Sequence, residues 1–178
     1  EQLLAKLDRY IAQQEFSFDW YELSVPTNSI RLIRNPLNRL NKEPWLFAEI
    51  TNLIHSAEES VVIQSPYVVP TSKMLDLLDC RLLDDIDLSI LTNSMASSPN
   101  PFTMAGYRLR RDNIIAHARL YEYHGQGSVH AKSIIIDDRL SLVGSFNMDS
   151  RSTFLSTETM VVIDSVEFAE ILREAIDE

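Results

Sequence analysis

One cysteine, Cys80, stands among 178 residues. That excludes an intrachain disulfide and a metal site built from clustered thiolates. Its setting, MLDLLDCRLL, follows a helical apolar pattern, so Cys80 is expected as a core or half-buried thiol. Positive charge is scarce as well: 16 Lys and Arg face 26 Asp and Glu, a net charge of −10. Such a surface repels a polyanion, so a general nucleic-acid binder is not favoured, although a small local basic site is allowed. No run approaches the ~18 apolar residues that a membrane span needs. A signal-peptide pattern, low-complexity segments and internal repeats are missing too.

What remains is an ordinary globular composition, 45% hydrophobic and 24% charged, long enough for one domain with a substantial core. The chain opens on Glu1 rather than Met, already inside a helical pattern, and the expectation is an excised piece of a longer protein. EQLLAKLDRYIAQQ spaces Leu3, Leu4, Leu7, Tyr10 and Ile11 as an amphipathic helix. Pro26, Pro36 and Pro44 then punctuate an irregular stretch holding one short strand, SIRLIR. Residues 1–44 are therefore expected as a helix plus an irregular connector, and 45–178 as the domain proper.

From residue 45 the rhythm is regular. WLFAEITNLIHSA reads as a helix, SVVIQSP as a strand, and SKMLDLLDCRLLDD as a helix capped by Thr71 or Ser72. DLSILTNS reads as a strand, FTMAGYRLRRDNIIAH as a helix and ARLYEYH as a strand. HAKSIIID and LSLVGS flank a polar break that suits a hairpin, followed by the strand TETMVVID and a closing helix. Aliphatic strands alternating with helices predict an α/β fold, an α/β/α sandwich around a mixed, mostly parallel sheet.

Within GSVHAKSIIIDD, His130 and Lys132 lie two apart at the mouth of an isoleucine run and share one face of a strand. With the turn centred on Asp138, Lys132 falls opposite Gly144, which leaves space above the strand. Ser145, Asn147, Ser150 and Ser152 follow beside the same opening. An imidazole, an ammonium and neutral donors around a gap suit a phosphate-like anion. Asp137 sits at an odd offset from His130, which assigns it to the turn.

His130-x-Lys132-x4-Asp137, then Gly144-Ser145-x-Asn147-x-Asp149-x-Arg151-Ser152, resembles the HKD signature of the phospholipase D superfamily. QSPYVVP and LTNSMASSPNPFTMAGY resemble the later half of bacterial cardiolipin synthases, so the resemblance covers roughly residues 45–178. It implies that His130 is a nucleophile forming a phosphohistidine, or the acid that protonates the leaving alcohol. It implies that Lys132 and Asn147 bind non-bridging phosphoryl oxygens, that Ser145 and Gly144 border the substrate, and that Glu158 orients the His130 ring. Asp137 belongs to the same catalytic signature. No metal or other cofactor is implied, and no cluster of ligating side chains suggests one.

The family's chemistry pairs two such motifs, and this chain holds one. His55, His117 and His124 lack a lysine two residues on. The second motif is expected from a missing N-terminal half or, as in the family's small nucleases, from a second copy. A homodimeric single-motif nuclease, a phospholipid hydrolase, and a catalytically incomplete domain that binds phosphate headgroups or a protein are the alternatives. The resemblance implies phosphatidyl transfer on phospholipids by a longer protein associated with the bacterial inner membrane. His55 and His117 are expected as surface or satisfied side chains, and His124 is a candidate for the entrance. Pro66 and Tyr67, after a strand's C-terminal end, are expected to wall the pocket. The basic run Tyr107–Arg111 reads as a solvated face, or else as an attachment for anionic headgroups. Asp149, Ser150 and Arg151 are expected to open a short helical turn, with Arg151 paired internally.

Overall fold

The computed structural model describes residues 19–37 and 42–178, with Leu4 and Lys6 besides. The helix expected over 1–14 thus falls almost wholly outside the described residues. In chain order the elements are β1 (Ser29–Arg34), α1 (Trp45–Ile54), β2 (Ser60–Gln64), β3 (Val68–Val69) and α2 (Ser72–Leu78). A 3-10 turn, Cys80–Leu83, leads to β4 (Asp87–Asn93), α3 (Pro101–Ile115) and β5 (Arg119–Tyr123). Then follow β6 (Ser133–Ile136), β7 (Leu140–Gly144), β8 (Met148–Asp149), α4 (Ser150–Phe154), β9 (Thr159–Asp164) and α5 (Val166–Asp177).

Among the described residues, seven strands form one sheet in the order β1-β9-β7-β6-β2-β4-β5, and β3 pairs with β8 beside it. The sandwich and its mixed sheet are as expected, but the parallel share is smaller. Within the seven-stranded sheet only β2-β4 and β4-β5 run parallel, where helices carry the chain across, and the small β3-β8 pair is parallel too. The other four ladders are antiparallel, because a tight turn joins β6 to β7 and edge strands close the order.

Alternation within the strands divides the core. Val61, Ile63, Ile134 and Ile136 face α1, α2 and α3, while Val62 and Ile135 meet Ala169 of α5 on the other side. That two-sided burial is why the isoleucine run is continuous rather than alternating. Two boundaries differ from expectation. The helix predicted through Cys80 stops at Leu78, where Asp79 takes a φ of +38°. His55 Nε2 lies 2.5 Å from the Leu78 carbonyl and satisfies an oxygen at the helix end. The connector expected over 1–44 is not separate either, since β1 pairs with β9 along its whole length. Asn35, fully buried, donates from Nδ2 to the carbonyls of Ser152 and Ser156 at 2.8 and 3.0 Å.

The β6–β7 hairpin turns at Asp137 and Asp138, with φ of +50° and +48°, a left-handed conformation that aspartate tolerates. The Asp137 carboxylate accepts the backbone N–H groups of Glu58, Glu59 and Ser60, each at 2.9 Å. Burial alone would raise its pKa, but these three N–H groups outweigh burial and hold it below the ordinary value. This corrects the assignment of Asp137 to the catalytic set: it ties the hairpin tip to the start of β2, at the end of β6 remote from His130 and Lys132. Asp137→Ala is expected to cost about 2 kcal/mol in urea denaturation at neutral pH. A depressed carboxylate stabilises above its unfolded pKa, so wild type should lose this increment as the pH falls below about 4. The variant should lack that part of the acid loss.

Candidate active site

Three neighbouring strands end at the same edge of the sheet. Lys132 immediately precedes β6, Ser145 immediately follows β7, and Glu158 immediately precedes β9. The hairpin register pairs Ser133 with Val143, and the Gly144 N–H donates to the Lys132 carbonyl at 3.1 Å, so Lys132 does lie opposite Gly144. The glycine's reason is different from the one expected. A Cβ there would fall 2.2 Å from the Thr159 carbonyl, so Gly144 makes room for β9 rather than for a ligand.

A cavity of about 550 Å³ opens at this edge, lined by His130, Lys132, Ser145, Asn147, Glu158 and Tyr67 among others. Of the residues expected to act on or bind substrate, all but Gly144 and Asp137 therefore border it; Pro66 and His124, expected as a wall and at the entrance, do not. Lys132 is buried, and its Nζ donates to the His130 carbonyl at 2.6 Å. The same Nζ lies 3.2 Å from Nδ1 and 3.4 Å from Nε2 of the His130 ring. An ammonium only donates, so the ring nitrogen it engages acts as the acceptor. Burial pushes the Lys132 pKa down, and the nearby Glu158 and Asp149 carboxylates partly restore it, leaving it lowered.

Glu158 does not take up the role expected of it. Its carboxylate accepts the Ser145 hydroxyl and, at 3.5 Å, that of Ser152. Among the described residues no hydrogen bond joins it to His130, whose ring partner is Lys132 instead. Ser152 also receives the Asn147 backbone N–H at 3.2 Å and its Nδ2 at 3.5 Å. Asn147 Oδ1 is buried without a partner among the described residues. Asp149 caps α4 through the Ser152 N–H at 2.8 Å, as expected, and burial raises its pKa despite that bond. Arg151 is exposed at the cavity and, among the described residues, has no carboxylate within 4 Å, contrary to the expected internal pair.

The wall supplied by α3 was not foreseen: Asn100, Phe102, Thr103 and Gly106 border the cavity. Gly106 is the signal that could have shown it, because a glycine inside a helix costs about 1 kcal/mol relative to alanine and so marks a close approach. A Cβ there would come 3.0 Å from Val69 Cγ1. Pro66 is buried, outside the cavity, and its carbonyl accepts Asn93 Nδ2 at 3.2 Å. His124 is exposed and does not line the cavity. His117 borders a second, largely apolar cavity of about 480 Å³ between α2 and α3, which contains none of the expected site residues. The basic run is only partly solvated: Tyr107 is buried, and its hydroxyl and Arg111 both bind Glu122.

Residues 50–178 match the family described as the cardiolipin synthase, PLD-like domain. The chain belongs to the phospholipase D-like family. Cardiolipin synthase A of Edwardsiella ictaluri is 30% identical to it over 133 residues, which cover 73% of this chain and 26% of that protein. This phospholipase D-like chain thus spans about a quarter of the length of the curated relatives it matches. Nuc of Salmonella typhimurium, a phospholipase D family member, has a similar fold: its TM-score is 0.62 at 19% identity, over 83% of this chain and 90% of that one. Phosphatidylserine synthase of Haemophilus influenzae gives 0.59 at 21% identity, over 86% and 38%.

The electrostatics yield a test. Glu158→Gln removes a negative charge that favours the ammonium, so the Lys132 pKa should fall further below the ordinary lysine value. Nitrogen-detected NMR titration of Lys132 Nζ reads this, and an unchanged or raised value contradicts the arrangement.

Proposed function

We propose that this chain supplies one half of a phospholipase D-type centre acting on phospholipid phosphodiesters, with phosphatidyl transfer of the cardiolipin-synthase kind as its activity. The single observation that carries the reading is the meeting of the His130 ring and the Lys132 ammonium, 3.2 Å apart, in one cavity with Asn147. Relatives that bear the name cardiolipin synthase support the choice of a transferase over a hydrolase.

In the proposed reaction one imidazole attacks phosphorus and the bond to the leaving alkoxide breaks. The alkoxide takes a proton from a second imidazole. A glycerol-type alcohol then attacks the phosphohistidine and gives its proton back, which restores both rings and forms the new diester. Lys132 and the Asn147 amide stabilise the charge that builds on the non-bridging oxygens. Their placement in a partly buried site strengthens that attraction relative to water. Cations held among carboxylates also let an acidic chain accept an anion locally.

His130 serves as nucleophile or acid, and the complementary histidine comes from a second HKD motif, in a missing N-terminal half or a second copy. Among the described residues, His55, His117 and His124 all lie outside the cavity. The longer protein works at the bacterial inner membrane, where its substrates reside.

His130→Ala in the longer protein should lower transfer of a labelled phosphatidyl group by about 10³-fold or more, with an unchanged circular dichroism spectrum. The present chain as a monomer should turn over little. Full activity of the variant, or of the monomer, overturns the proposal.

A further inference from the structure

We propose that the outward face of α3 docks onto an anionic lipid bilayer beside the mouth of the cavity. A surface helix with a partner on one side only is expected to be polar on the other. α3 packs inward through Met104, Tyr107 and Ile114, yet outward it presents Phe102 at 89% exposure and Leu109 at 82%. These two lie seven residues apart, about two helical turns, so they stack along one line. Ala105, also exposed, lies between them on the same side.

Charge identifies the occupant. Arg108 and Arg110 stand on either side of the Leu109 line, about 100° away in each direction. Among the described residues neither has a carboxylate within 4 Å, whereas Arg111 of the same helix is held by Glu122 at 3.1 Å. The acidic neighbour on this face is Asp112, itself exposed. Apolar side chains flanked by unpaired guanidinium groups match a bilayer surface, where hydrocarbon reaches the acyl boundary and cations meet phosphates. An apolar protein partner would leave both arginines without a counter-charge.

Position agrees with charge. Phe102 lines the cavity together with Asn100, Thr103 and Gly106, so the first turn of α3 belongs to both the cavity mouth and the docking line. A bilayer seated there holds a lipid headgroup close to His130 without the lipid leaving its leaflet. The net charge of −10 opposes approach to an anionic surface everywhere else, so binding depends on this patch and weakens with salt. The surface stands apart from the proposed turnover, because adsorption needs no chemistry.

Vesicle flotation of this chain tests the surface, with phosphatidylcholine alone and with phosphatidylglycerol mixed in. Binding is expected on the mixed vesicles only, and to fall as salt rises. Removing both charges, Arg108→Gln with Arg110→Gln, should lower the bound-to-free ratio about thirtyfold. Leu109→Asp, which leaves the cavity untouched, should lower it at least as far. His130→Ala should bind as wild type does, so adsorption is read independently of turnover: full transfer activity of His130→Ala in the longer protein sinks the catalytic reading and spares this one. Equal binding to both vesicle types, or unchanged binding in both surface variants, overturns the docking face. So does sedimentation showing that Leu109→Asp dissociates an oligomer, since the face would then be occupied by a second copy.

Discussion

The anchoring of the Asp137 carboxylate by three backbone N–H groups is the constraint from which the site follows. It fixes the tip of the β6–β7 hairpin to the start of β2, and so sets the register in which Val61 meets Ile136 and Gln64 meets Ser133. A slip of one residue would turn every side chain of β6 to the opposite face. With the register held, Ile134 and Ile136 point to one core and Ile135 to the other, and the chain leaving β6 backwards delivers Lys132 and His130 to the cavity. The structural anchor thus lies at one end of the hairpin and the proposed chemistry at the other.

At the chemical end the balance is between burial and carboxylates. Burial makes the Lys132 ammonium costly, and Glu158 and Asp149 offset part of that cost without forming an ion pair with it. They are kept from doing so by hydroxyls and a helix end: Ser145 and Ser152 hold Glu158, and the start of α4 holds Asp149. The ammonium is left with the His130 carbonyl and ring as its partners, and it faces the cavity. Such a lysine can receive a phosphoryl oxygen without first breaking a strong salt bridge. The serines of the motif therefore serve the cation as much as the ligand.

Much of this was legible in the sequence, for reasons that can be named. The main-sheet strands β2, β6, β7 and β9 appear as aliphatic runs bounded by turn residues, and the single break at Asp137-Asp138-Arg139 fixed which residues face each other, whereas the two-residue strands β3 and β8 leave no such pattern. What escaped depended on long-range contact. The parallel share of the sheet follows from strand order, which local patterning does not encode. The family resemblance draws Glu158 to His130, but the Ser145 hydroxyl takes its carboxylate. Gly144 looked like space for a ligand, and only the approach of β9 shows that the space is already filled. The end of α2 at Leu78 falls at a left-handed Asp79, and its last carbonyl meets His55, a side chain 23 residues away in sequence.

Soaking or cocrystallising this chain with tungstate, a tetrahedral stand-in for the phosphoryl group, tests the central claim most directly. An oxyanion is expected within hydrogen-bonding distance of His130, Lys132 Nζ and the Asn147 amide, with Lys132 drawn off the His130 carbonyl. An ion that settles elsewhere, with His130 and Lys132 turned apart or sealed from it, contradicts the account.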